Sequence, residues 1–461
     1  MRVRTLLLWL ALPDAAIAQN PDVLLAGRYN QPGVYALTNV SVIDGTGAAA
    51  TRNQTIIVAG GVIQFVGDAA AAQPPASATV LDLRGSTVLP GLIMMHEHVR
   101  GDYLSSRLFL ARGITTVRNT GSFEPIGEIN LRTWIREGRV PGPEMFLTSP
   151  ALSQHEEALS RYKFIILQNV RDDAHARRIV SYWASEGVDA IKAYRGMTST
   201  MLRVIVEEAH RLGLHVSGHL DDRKISCTEA AEIGLDSWEH NFSRCFSTAA
   251  PGGGRGSRLD PDSPAGKAVM ATLLSRRMTF TETPVDDRPL TAAELAVLAP
   301  DAAADYQRIV RENDDLLGEH PASDEVQGKP GHALVAFSRA GGRVMLGADA
   351  VGLPQVPGFA NLKALNLLYS IYGFTPLEAI RIATLNGASF LGIDKRTGSI
   401  AQGKEADLVV VKGDPSARMK DIDNVQFVFS NGVLFDSAKM LEEMRGKFSL
   451  VARGNTRFRI P

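Results

Sequence analysis

Eight short apolar runs, separated by helical segments, limit the folds open to this chain more than any other feature. They lie at 88–93, 115–117, 145–147, 189–193, 214–217, 236–238, 278–281 and 343–346. A strand that is followed each time by a helix before the next strand is the pattern of a parallel sheet, and eight such units predict an α/β chain with a (β/α)8 TIM barrel. The clearest helix is expected over 198–212, where Met201, Leu202, Ile205, Val206, Ala209 and Leu212 share one face and Gly213 is a stop. Ser226 and Glu229 form a capping box for a short helix closed by Gly234, and Thr375, Pro376 and Glu378 open a helix running through Phe390.

The texture differs on either side of the barrel. Segments 34–83 and 398–435 are short β-rich runs joined by glycine turns, and the two flanks are expected to build one small β-sandwich domain interrupted by the barrel. The expected divisions of the 461 residues are a signal peptide at 1–18, the first part of the small domain at 19–87, the barrel at 88–392 and the second part of the small domain at 393–461. Arg2 and Arg4, the apolar run 6–12 and Ala16-Ile17-Ala18 have the order of a secretory signal, so the protein is expected to be exported, periplasmic or secreted. Pro13 and Asp14 interrupt the run, and an uncleaved tether is the alternative; once the signal is removed no membrane association is expected. A formal net charge of −1 without a Lys/Arg run argues against nucleic acid and acidic membrane surfaces as partners. Cys227 and Cys245 are the two cysteines; they could pair in an oxidising compartment, but two do not make a disulfide scaffold, and unrelated thiols is the favoured reading. The glycine-rich stretch 252–264 is a long insertion after the sixth strand, either a lid or a surface loop.

Chemistry is expected where barrel strands end. The first ends in His96-Glu97-His98, and residues two apart on a strand face the same way, so two imidazoles converge on one point suited to zinc. The fourth ends in Lys192-Ala193-Tyr194, the fifth in His219, the sixth is followed by Glu239-His240 and the eighth by Asp349. A lysine after an apolar strand is penalised as an ammonium, which favours a neutral or carbamylated form; the bland alternative is a lysine reaching a partner acid. Tyr194 shares the Lys192 face and could donate to a substrate carboxylate or a developing oxyanion. Arg118 reads as structural beneath the site, and His215, on the face of His219, as a packing residue or a support for it.

These motifs resemble the metal-dependent hydrolases of the amidohydrolase superfamily. The likeness rests on Leu89-Pro-Gly-Leu-Ile93 leading into His96 and His98, Gly113-Ile-Thr-Thr-Val-Arg118, Asp189-Ala-Ile-Lys192, His219, Ser237-Trp-Glu-His240, Gly347-Ala-Asp349, Thr384-Leu-Asn-Gly-Ala388 and the run 398–408. Within the superfamily the chain is most similar to the imidazolonepropionase-like branch that holds Xaa-Pro dipeptidases and ochratoxin-type amidases. That resemblance implies two divalent ions, zinc first among candidates. His96 and His98 would hold one ion, a carbamylated Lys192 would bridge both, and His219 and His240 would hold the second. Asp349 would touch the first ion and shuttle protons, and His155 would correspond to a pocket histidine of the family. Met94 departs from the family's aspartate, which is not a ligand. The implied reaction is hydrolysis of a small-molecule amide or dipeptide, with homo-oligomers common among such barrels. A lactonase or esterase would use the same site. A mononuclear deaminase is disfavoured by Lys192 and by Asp222, which stands where deaminases carry glutamate.

Overall fold

The computed structural model describes residue 29 and residues 31–99, 101, 103–154, 167–220, 224–247, 259–286, 288–312 and 331–449. The expected signal, His155, Asp222 and most of the glycine-rich insertion lie outside the described residues.

The two flanks are hydrogen-bonded into one sheet. Its first part holds β1 (Tyr35–Val42), β2 (Thr51–Ala59), β3 (Val62–Asp68), β4 (Thr79–Asp82) and β5 (Ser86–Pro90). β2 and β3 turn at Gly60 and Gly61, both at positive φ, a conformation glycine adopts without steric cost. The barrel follows: β6 (Leu92–Glu97), β7 (Ile114–Asn119), β8 (Glu144–Ser153) with a short β9 (Leu167–Asn169) at its side, β10 (Ala190–Tyr194), β11 (His215–His219), β12 (Ser237–Glu239), β13 (Thr279–Glu282) and β14 (Val344–Leu346). The chain then returns to the flank sheet as β15 (Leu408–Lys412), β16 (Val425–Ser430) and β17 (Val433–Asp436). The flank sheet has the order β17-β16-β15-β5-β1-β2-β3 with β4 beside β1. The antiparallel ladder of β15 on β5, from Leu408 opposite Pro90 to Lys412 opposite Ser86, joins the two ends of the chain. The sheet curls until Val62 bridges Glu405 and encloses a core that includes Leu37, Val40, Ile56, Val88, Leu408 and Val410.

Each of the eight expected barrel strands is present, and the eight run parallel in the order β6-β7-β8-β10-β11-β12-β13-β14. The first expected run, 88–93, is divided at Gly91, whose N–H donates to Asp407 O at 2.8 Å. Its first half completes β5 in the flank sheet and its second half begins β6. A Cβ on Gly91 would stand 2.1 Å from Thr115 Oγ1, so the crossing between sheets requires glycine. Between β14 and β6 the contact is made by Asp349 N–H donating to His96 O at 3.1 Å. Gly347 permits that approach, since a Cβ there would lie 2.5 Å from His96 Cβ.

Helix Ser199–Arg211 is capped by Thr198 and ends before Gly213, as its pattern predicts. Thr375 and Glu378 form the expected capping box, but the helix they open ends at Ile382. Thr384 leaves helical geometry, with its hydroxyl on Ile380 O, and a second helix covers Leu385–Leu391. The reading of the cysteines as unrelated thiols is overturned: Cys227 and Cys245 form a disulfide, with Cα atoms 5.1 Å apart. Cys227 opens helix Cys227–Ile233 after β11, and Cys245 lies in the 3-10 turn Phe242–Phe246 after β12. Parallel pairing of β11 with β12 brings their trailing segments together, a proximity that a separation of 18 residues does not encode. Among the described residues no helix is long and apolar enough to cross a membrane.

Candidate metal centre

Asp349 is the hub of the site. Its Oδ1 lies 2.9 Å from His98 Nε2 and 3.6 Å from His96 Nε2, and its Oδ2 lies 3.8 Å from His240 Nε2. The ring of His240 packs 4.3 Å from that of His96 and 4.5 Å from that of His219, which in turn meets the Tyr194 ring at 5.0 Å. Sequence reasoning placed these residues at the ends of five strands, and the structure brings them to one end of the barrel. His240 and Asp349 both adopt positive φ, 63° and 50°, which non-glycine residues take at an energetic cost tolerated mainly at functional sites.

Lys192 is 2% exposed, and its Nζ has no hydrogen-bond partner among the described residues. A Cβ on Gly121 would meet Lys192 Cγ at 3.6 Å and His98 Cε1 at 3.9 Å, which puts the lysine stem beside the imidazole. Burial pushes the Lys192 pKa down to about 8, against the Glu239 and Asp349 charges, which favour the ammonium, and with the Arg118 charge, which opposes it. Burial likewise lowers His96 to about 4, aided by Lys192, and lowers His240 well below the usual range, aided by His96 and His219. These imidazoles are therefore neutral near pH 7 and offer lone pairs. For Asp349, burial alone would favour the acid form, but His96, His240 and His98 hold it below the usual carboxylate range. The ligand atoms of His96, His98 and Asp349 lie within 4.8 Å of one another. Neutral imidazoles and an ionised carboxylate are a donor set that fits divalent cations.

The support beneath the site is ionic. Glu239 Oε2 holds His96 Nδ1 at 2.6 Å, while its Oε1 receives Arg118 Nη2 at 2.7 Å and Ser237 Oγ at 2.6 Å. Burial would raise the Glu239 pKa, but Arg118, His96 and Lys192 keep it well below the ordinary range, so the carboxylate is charged and fixes the His96 ring with Nε2 toward Asp349. Arg118 also donates to Met95 O and Thr281 Oγ1, the position beneath the rim that its sequence context suggested. His240 Nδ1 is held by Thr283 Oγ1 at 2.7 Å. Glu97 is buried with Oε1 accepting from Ala348 N–H at 2.9 Å and Asn361 Nδ2 at 2.6 Å, and burial pushes its pKa up to about 8. The roles of Glu239, Glu97, Asn361 and Thr283 escaped the sequence reading; strand alternation, which turns 118 and 239 inward, was the one available signal. His215 is the packing residue of the two readings its position allowed: it sits at the opposite end of β11 from His219, against Asp236 at 3.4 Å and the Phe390 ring at 4.8 Å. Met94 is fully buried in the main core.

The amidohydrolase family matches residues 87–435. Among solved structures, a Xaa-Pro dipeptidase with methionine bound in its active site shares 20% identity at a TM-score of 0.65, over 88% of this chain and 100% of that one. The ochratoxinase of A. niger shares 20% identity at a TM-score of 0.64, over 91% of this chain and 100% of that one. At such identities the likeness is one of fold. The imidazolonepropionase of Thermoplasma volcanium is 34% identical over 83 residues, 17% of this chain and 20% of that protein. The chain spans 20%, 14% and 12% of the lengths of the first three curated relatives it matches.

Proposed function

The chain belongs to the amidohydrolase family, and from that premise we propose that it is an exported binuclear metal-dependent hydrolase of amide or peptide bonds, acting on a dipeptide or an N-acyl amino acid. The observation that carries the reading is Lys192, buried beside His98 with no hydrogen-bond partner for its Nζ among the described residues, at the end of the barrel where four imidazoles and Asp349 meet. A carbamate on Lys192 would replace an unpaired cation with an anion having two oxygens. His96 and His98 would hold one ion and His219 and His240 the other, with zinc favoured by nitrogen donors. When bound, two such ions supply Lewis acidity toward a water and toward the scissile carbonyl.

The chain's own residues do the rest. Asp349, ionised and in contact with three histidines, accepts the proton of the attacking water and returns it to the departing nitrogen. That return matters because an amine anion is a very poor leaving group. Glu239 and Thr283 keep the His96 and His240 rings oriented throughout. Tyr194, buried at the end of β10, is proposed to donate its hydroxyl to a substrate carboxylate or to the developing oxyanion. The dipeptidase and the ochratoxinase, similar in fold, support the choice of amide bonds over esters.

The test is elemental analysis of the purified protein beside hydrolysis of matched dipeptide, N-acyl amino acid and ester panels, for the wild type and Lys192→Ala. About two metals per chain, lost in the variant together with amide hydrolysis, is the expected result. One metal with an active Lys192→Ala would sink the binuclear reading, and preference for the ester panel would replace it with an esterase.

A further inference from the structure

The two imidazoles of the His96-Glu97-His98 motif are supported unequally. His96 Nδ1 rests on Glu239, whereas His98 Nδ1 is buried without a hydrogen-bond partner among the described residues. Ser122 Oγ and Glu128 Oε2 are likewise buried without a well-formed hydrogen bond among the described residues, although the Ser122 hydroxyl stands near enough to the Glu128 carboxylate to lower its pKa. The Phe123 ring stacks on His98 at 4.5 Å and an interplanar angle of 6°. The backbone N–H groups of Phe123 and Glu124 both donate to Glu128 Oε1 at 3.0 Å. Glu128 therefore lies directly behind the loop that carries His98's stacking partner, with one oxygen committed to that loop and the other uncommitted. It is 1% exposed and stands in the first turn of helix Pro125–Arg136. A buried carboxylate oxygen left unpaired carries its full desolvation cost, so the position calls for a donor.

We infer that Glu128 is the orienting carboxylate of His98, reaching it through Ser122 and one buried water that joins His98 Nδ1, Ser122 Oγ and Glu128 Oε2. A water with three polar partners is the usual occupant of such a place. The arrangement fixes the proton of His98 on Nδ1 and turns Nε2 toward Asp349, the counterpart for this ring of what Glu239 does for His96. Burial raises the Glu128 pKa, and the Ser122 hydroxyl leads the groups that offset the rise, ahead of the Glu124 and Phe123 N–H groups, which places Ser122 against the carboxylate. Glu128 is thus a positioning residue, and helix Pro125–Arg136 becomes part of the site although no residue of it faces the strand ends in sequence. The inference rests on the reading of His98 as a metal ligand.

Glu128→Gln separates this role from the loop cap, because the amide oxygen can still accept from Phe123 and Glu124 while the amide nitrogen cannot accept from the water. Zinc affinity would be measured by competition with a chromophoric chelator for wild type, Glu128→Gln, Ser122→Ala and the double variant, beside the melting temperature of each metal-free protein. The expected result is a loss of about 10–100-fold in affinity for one of the two ions in Glu128→Gln. The metal-free melting temperature should be unchanged, and the double variant should show no further loss. Wild-type affinity for both ions in Glu128→Gln, with or without a lower melting temperature, would overturn the inference and leave Glu128 a loop cap. A wild type that takes up no zinc would overturn the functional reading and the inference with it.

Discussion

The flank sheet and the barrel are built from strands of similar length, yet they turn opposite chemistry inward. In the curled flank sheet the enclosed residues are Leu37, Val40, Ile56, Val58, Leu408 and Val410, all fully buried and all apolar. In the barrel, apolar and polar residues alternate so that Val117, Ile191, Trp238 and Phe280 join the main apolar cluster while their neighbours Arg118, Lys192, Glu239 and Thr281 are buried on the other side. The usual barrel interior of branched aliphatics is replaced beneath the site by an ionic and hydroxyl layer. The flank is held by apolar burial, which is tolerant of detail, and the barrel interior by pairings that fail if one partner is lost.

Removing Arg118 should give the largest effect. Arg118→Leu leaves the Glu239 charge buried with Ser237 and His96 alone, and breaking such a buried pair costs about 3–5 kcal/mol. Urea denaturation of the metal-free protein should show that loss, with weaker zinc binding because Glu239 no longer holds His96 rigidly. An unchanged midpoint would mean that the ionic layer contributes nothing net and that the contrast with the flank is one of composition only. The counterpart is Leu408→Ala, on the strand that pairs with β5. It should cost about 2–5 kcal/mol through lost burial and a cavity, yet leave zinc affinity untouched. A drop in zinc affinity there would show that the flank sheet holds the barrel's rim in shape.

The same contrast explains what the sequence made legible. The barrel was readable because each strand is a local pattern, and its site residues because they follow those strands at once: His219 ends β11 and Lys192 lies within β10. What stayed hidden joins residues far apart in the chain. Glu239 reaches His96 across 143 positions, and Asn361 reaches Glu97 across 264. No periodicity carries such pairings. The split of 88–93 at Gly91 was invisible for a related reason: both halves are apolar, and only the approach of Thr115 and the hydrogen bond to Asp407 reveal that they serve two sheets. The disulfide required knowing which strands are neighbours.

The smallest expected effect tests whether acid sensitivity belongs to the barrel interior alone. Glu378, on the surface helix Pro376–Ile382 through which the chain leaves the barrel for the flank sheet, accepts from Arg339 Nε at 2.9 Å and Nη2 at 3.0 Å, and from Thr375 N–H at 2.7 Å. The Arg339 hydrogen bonds lead in lowering its pKa from the ordinary 4.5 to about 2. A carboxylate depressed in the folded state binds fewer protons there than when unfolded. Its stabilisation is present above pH 4.5 and is lost as the pH falls toward 2. Glutamine can still close the capping box, so Glu378→Gln removes the charge and keeps the cap. For a partly exposed pair the loss at pH 7 should be about 0.5–1 kcal/mol, measured by urea denaturation of the metal-free protein. The difference between variant and wild type should shrink through that window and vanish only below pH 2, once the folded carboxyl is protonated as well. A difference that persists below pH 2 would place the effect in the cap, and one that never appears would leave the buried groups of the barrel as the source of the acid limb.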